Sequence, residues 1–142
     1  MKRYFNWPAL LTTGIQAAQK RSFQWGVFDC ALAACSLIQV MTGIDPGQHY
    51  RRKYSSEAEA FALIGRDLGA FAAPIAANFE MPEIPPRQAR RGDLVLADNG
   101  NPGNPSHALG IVDLSGRYAL FAGSRGLLRL RMRRWKRAWR VG

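Results

Sequence analysis

The stretch Trp25-Gly26-Val27-Phe28-Asp29-Cys30, running on through Ala31-Leu32-Ala33-Ala34-Cys35-Ser36-Leu37-Ile38-Gln39-Val40-Met41-Thr42, decides how this chain is read. Leu32, Ala33, Leu37, Val40 and Met41 recur at helical spacing, and Gly43 is a natural stop. The helix so predicted opens at Asp29-Cys30 and seats a thiol at its N-terminus. Unpaired N–H groups and positive partial charge at such an end lower a thiol's pKa and favour the nucleophilic thiolate. A cysteine among small apolar residues is also ordinary packing. Chemistry therefore requires a partner elsewhere in the chain.

Cys35 lies on the same helix, roughly 140° around from Cys30 at about 100° per residue, so the two do not bridge. Cys35 reads as packing. With only 2 cysteines there is no disulfide framework and no zinc-type ligand set, and neither a metal nor a cofactor is expected.

Working outward, Pro8 suits the first turn of a helix whose apolar stripe is Leu10, Leu11, Ile15 and Ala18, ending before Lys20-Arg21. Gly43 to Tyr54 reads as a loop. A third helix opens at Ser55-Ser56, where Ser56 and Glu59 form a capping box, and runs through Phe61, Leu63, Ile64 and Leu68 to Gly69. Alanine-rich residues 70 to 79 add a short helical segment. Met81 to Pro86 is a stiff extended connector, because its prolines fix φ and remove donors.

The second half reads as strands: Asp93 to Ala97, Ala108 to Asp113, Tyr118 to Ala122, Leu127 to Met132, and a last return at Ala138 to Val141. Leu128, Leu130 and Met132 alternate with Arg129, Arg131 and Arg133, the period of a strand with one buried and one basic face. Helices over about residues 8 to 79, then strands over about 92 to 141, predict one α+β domain with the helices packed on a mainly antiparallel sheet.

At 142 residues and 47% hydrophobic content the chain is long enough for one core, and no run approaches the roughly 18 apolar residues of a membrane span. Asn6, Trp7 and Pro8 interrupt the apolar centre that a signal peptide needs, so no export signal is expected. The net charge of +10 gathers most densely from Arg129 to Arg140. It points to an acidic partner, and Arg129, Arg131, Arg133 and Arg134 with Trp135 and Trp139 read as an interface. No nucleic-acid-reading motif accompanies them, so nucleic acid is not the expected partner, and a basic nucleic-acid-binding domain stands only as a third reading.

A thiol at a helix start needs an imidazole to move its proton. The chain offers two, His49 in the loop after the cysteine helix and His107 at the head of a predicted strand. His107 is favoured, because a strand packed on the helix can present it to Cys30.

Three segments, in order, resemble the motifs of NlpC-like cysteine peptidases: Trp25 to Cys30 before a small-residue helix, Gly92-Asp93-Leu94-Val95 after the proline-rich connector, and His107-Ala108-Leu109-Gly110-Ile111. The match covers roughly residues 20 to 126. The short length and the Ala138-Trp139-Arg140-Val141 ending are most similar to NlpC-like proteins encoded among phage and prophage tail genes. The resemblance implies a papain-like fold and cleavage of peptide bonds in the peptidoglycan stem. It makes Cys30 the nucleophile, His107 the general base and then acid, and the Cys30 N–H part of the oxyanion hole. Trp25, Gly26 and Asp29 support that turn, and Asp93 caps another. It further implies a virion tail location, with other tail-tip or baseplate proteins as partners.

Two positions depart from the family pattern. The histidine stands one residue early, with Ala108 in its usual place, and on a regular strand this turns His107 to the wrong face. The polar residue that orients the imidazole belongs on the next strand, where the chain has Ala119, Leu120 and Phe121. Ser124, Asp113 or an asparagine between 99 and 104 are the substitutes. The alternative expectation is therefore a structural tail component that keeps the fold without the chemistry.

Overall fold

Each helix starts and stops where local chemistry requires. The computed structural model describes residues 1–98 and 106–142. Helix α1 (Trp7–Ala18) carries proline in its first turn, and α2 (Leu32–Thr42) ends at Gly43, whose φ of 80° is the left-handed cap. Ser56 caps α3 (Glu57–Ile64) by accepting from the Glu59 amide at 3.2 Å. The third helix does not reach Gly69. It breaks at Gly65, and α4 (Leu68–Asn78) restarts under its own cap, Asp67, which accepts from the Ala70 amide at 3.1 Å. No single described helix is long and apolar enough to cross a membrane.

Six strands form one antiparallel sheet in the order β1-β6-β2-β3-β4-β5. They are β1 (Glu83–Ile84), β2 (Leu94–Asp98), β3 (His107–Val112), β4 (Tyr118–Ala122), β5 (Leu127–Arg131) and β6 (Trp135–Trp139). The fold is α+β. The connector read as strandless supplies β1, and the last strand begins at Trp135 rather than Ala138. Alternation divides the strand residues between two cores. Leu94, Leu96, Leu109, Ile111 and Trp139 pack with Leu11, Leu37, Ile38 and Met41 of the helices. Val95, Ala97, Val112, Ala119, Phe121, Trp135 and Ala138 pack on the opposite face.

The sheet closes over that second core by curling. β5 stands four places from β6 in the strand order, about 19 Å sideways on a flat sheet. Only Met132–Arg134 connects them, and the step from Arg131 to Trp135 reaches at most about 14 Å. A curled sheet satisfies both, and the Trp135 indole N–H donates across the seam to the Leu130 carbonyl at 3.0 Å. At this seam the expected buried stripe of β5 is only partly covered: Leu130 packs on the second core. Leu128 is 57% and Met132 38% exposed, because β5 is an edge strand with β4 alone beside it.

Candidate functional site

The site is built on Asp29, which is fully buried and accepts four hydrogen bonds. Its Oδ1 takes the amides of Ala31 and Leu32 at 3.0 and 2.8 Å, and its Oδ2 takes the Gly26 amide at 2.9 Å and the Tyr54 hydroxyl at 2.6 Å. The Asp29 carbonyl accepts from the Ala33 amide at 3.2 Å. Regular α2 geometry begins at Leu32, two residues later than the sequence predicts; Asp29 holds the turn that leads into it, and Cys30 lies in that turn ahead of the helix. Gly26 makes this possible: its φ is +80°, and a Cβ there would stand 2.1 Å from the Tyr54 carbonyl oxygen. Burial, then the bond to Asp29, push the Tyr54 phenol far above its ordinary range. Tyr54 carries no motif, and only its place after a basic loop, with one apolar face, hinted at a buried role.

The expectation of an acidified thiol is overturned. Burial pushes Cys30 up to about 12, the Asp29 carboxylate adds to the rise, the residue's own backbone N–H opposes it, and Glu57 adds a final increment. The carboxylate that caps the helix puts negative charge where the helix end would put positive. Since Asp29 takes the Ala31 and Leu32 amides, the Cys30 N–H is the donor of this turn left facing the sulfur. Cys35 is raised to about 12 as well, chiefly by burial, and packs under Gly47.

His107 comes to the same side of the sheet as Cys30. Along β3 it shares a face with Leu109 and Ile111, which pack on the helices, and the Leu109 amide donates to the Cys30 carbonyl at 2.7 Å. Ala108 is the residue turned away, toward the second core. The predicted wrong-face orientation is therefore corrected: the strand packs so that the odd positions meet α2. Cys30 and His107 line one cleft of about 550 Å³ together with Trp25, Glu57, Phe61 and Arg66. The Trp25 ring meets Phe23 edge-on at 4.8 Å, and the Arg66 guanidinium lies 4.4 Å over Phe61. His49 lies elsewhere, edge-on to Tyr50 in a cavity shared with Asp45 and Arg51.

No polar orienting group comes from the expected strand. Leu120 and Ala122, which share the His107 face toward its end of β4, are apolar, and Ala119 and Phe121 lie in the second core. Asp113 closes the far turn by accepting from Ser115. Ser124 is exposed in the β4–β5 hairpin, and the asparagines between 99 and 104 lie outside the described residues. The polar neighbour that sequence reading missed is Asp98, directly opposite His107 in the β2–β3 ladder and paired with Lys136 at 3.1 Å. Cross-strand partners put their Cβ atoms about 4.5 to 5.5 Å apart.

Asp93 sits at the other end of β2, about 17 Å from Asp98 by strand rise. It is fully buried and accepts from Arg3, Arg140 and the amides of Arg90 and Val141. It closes the Arg90–Asp93 turn and stands apart from the thiol.

The proposed basic interface is half dismantled. Trp135 and Trp139 are 4% and 1% exposed, each central to one of the two cores, because β6 is an interior strand. Arg129 and Arg131 stay at the surface, at 4.7 and 5.6 Å from the Tyr118 ring, and Arg133 and Arg134 lie in the turn after β5.

Fold and cleft together define an α+β domain with a cysteine in the turn leading into a helix and a strand histidine sharing one cavity. The chain belongs to a family described as a domain of unknown function, DUF6950, whose model matches residues 2–141. No curated protein and no solved structure matches it.

Proposed function

We propose that this chain is a papain-like cysteine hydrolase of the NlpC type, cleaving peptide bonds of the peptidoglycan stem from a phage tail tip or baseplate. The observation that carries the reading is the shared cleft: Cys30 in the turn leading into α2 and His107 on the helix-facing side of β3 open into the same 550 Å³ space. Burial and the Asp29 carboxylate hold the resting Cys30 in its neutral thiol form. Attack therefore proceeds from the thiol, with His107 removing the proton as sulfur reaches the carbonyl carbon. The Cys30 N–H meets the developing oxyanion, a contribution of about 2.7 to 4 kcal/mol in comparable sites. Protonated His107 then delivers its proton to the leaving amine, and water releases the acyl group from sulfur.

The test is to mix the protein with purified muropeptides, quench in acid and measure the mass of the chain. An acyl adduct on the Cys30 peptide, absent from Cys30→Ala, supports the reading. The absence of both an adduct and a newly released amine at every quench time refutes it. A second reading, a structural tail component without chemistry, is favoured by the apolar Leu120 and Ala122 where an orienting group belongs. On that reading Cys30→Ala and wild-type support assembly equally, and neither cuts muropeptides.

A further inference from the structure

At the Asp93 end of β2, remote from the thiol, basic side chains crowd around one carboxylate. Lys2, Arg3, Arg90, Arg91 and Arg140 line an open cleft of about 610 Å³. Asp93 is the buried anion among them, and its two oxygens are already committed to Arg3, Arg140 and two backbone amides. Arg3 also donates to the Arg91 and Val141 carbonyls. Arg3 and Arg91 lie against the Trp7 indole at 4.3 and 5.4 Å. Burial lowers the Arg3 pKa, Asp93 opposes the shift, and the neighbouring Arg140 and Arg91 add to the lowering. One carboxylate leaves most of this charge unanswered.

Beside the cleft stands Phe5, 99% exposed, with Tyr4 at 49%. Phe5 is held out by a fixed backbone, since the Tyr4 amide donates to the Met41 carbonyl at 2.8 Å and the Tyr4 carbonyl accepts from Trp7 at 3.0 Å. An exposed aromatic beside a fork of guanidiniums matches the composition enriched at protein interfaces. Guanidinium forks match carboxylates in a bidentate manner.

We propose that this cleft binds an acidic peptide segment of a partner protein, with carboxylates on Arg90, Arg91 and Arg140 and an apolar side chain against Phe5. The proposal is independent of any activity at Cys30. A protein is favoured over nucleic acid because guanidiniums already occupy the Trp7 ring and the hydroxyl end of Tyr4 lies against Gly43, and because the charge is gathered in a pocket rather than along a track.

The test uses the full chain and fluorescence anisotropy with a labelled glutamate-rich peptide carrying two central leucines. An all-glutamate peptide, a glutamine counterpart and a labelled oligothymidylate serve as comparison probes. Arg90→Ala with Arg91→Ala is expected to weaken the leucine-containing peptide at least about tenfold, whereas Arg129→Ala with Arg131→Ala, which removes the same charge from β5, changes it less than about twofold. Phe5→Ser weakens the leucine peptide and leaves the all-glutamate peptide unchanged. Circular dichroism and melting confirm folding of each variant, and Arg90→Ala alone serves as the milder check. No binding, equal loss from both arginine pairs, or tighter binding of the oligothymidylate with no dependence on Phe5 overturns the proposal.

Discussion

Replacing Asp29 with asparagine keeps the shape of the helix-start hub and removes its charge, which isolates the electrostatic part of its role. The amide oxygen retains the Ala31 and Leu32 amides, so the new NH₂ faces the Gly26 amide and the Tyr54 hydroxyl, which now bond to Asp29 Oδ2 at 2.9 and 2.6 Å. Two bonds to a charged acceptor are lost, each worth about 1.5 to 3 kcal/mol. The Tyr54 hydroxyl can turn to accept from the new amide and recover about 1 kcal/mol, so the net cost is about 2 to 5 kcal/mol. Tyr54→Phe removes one of the same bonds and costs about 1.5 to 3 kcal/mol. Because the two changes share a partner, the double variant falls short of additivity by about 1 to 2 kcal/mol. Urea unfolding followed by circular dichroism reads this as a midpoint shift of about 1 to 2 M for Asp29→Asn. A shift equivalent to less than about 0.5 kcal/mol, or strict additivity in the double variant, refutes the hub.

Gly26→Ala places a methyl 2.1 Å from the Tyr54 backbone oxygen at a φ of +80°, so a loss of at least about 3 kcal/mol is expected in the same unfolding assay. An unchanged midpoint would show that the turn is built otherwise. Trp139→Ala, in the main core, is expected to cost about 3 to 5 kcal/mol, while Arg129→Ala stays within about 0.5 kcal/mol; equal effects would contradict the burial of β6. Cys30 and Cys35 are both raised from 9.0 to about 12, so the folded state retains protons that the unfolded chain releases. Their contribution is complete below about pH 9 and is lost as pH rises toward 12. Denaturant midpoints across this range should fall, and Cys35→Ala should flatten the decline; a flat wild-type profile rules it out.

Helices were legible where one residue sets the boundary. Gly43, Ser56 with Glu59, and the Trp7-Pro8 start act within a single turn, and each ends or begins a helix close to where its chemistry places it. Gly65 carries the same kind of signal, but the apolar pattern running on to Leu68 masked it, and the chain breaks there. The strands were legible by alternation; their fate was not. β5 and β6 have similar mixtures of arginine and apolar residues, yet one is an edge and the other interior, because the curl of the sheet depends on pairings distant in sequence. That is why the tryptophans read as interface are core. At the site, the Asp-Cys pair marked the helix start, and the sign of its effect on the thiol was lost with the direction of the Asp29 carboxylate. The face on which His107 falls depends on how β3 packs against α2, which the family spacing does not determine.

The most direct test of the central claim is turnover of defined muropeptides by wild-type protein, Cys30→Ala and His107→Gln, with products quantified by mass spectrometry. The account predicts a newly released amine from the wild-type reaction, none from Cys30→Ala, and a rate reduced at least about 10²-fold in His107→Gln. Wild-type protein that leaves the muropeptides intact, or Cys30→Ala that cleaves them equally well, would contradict it.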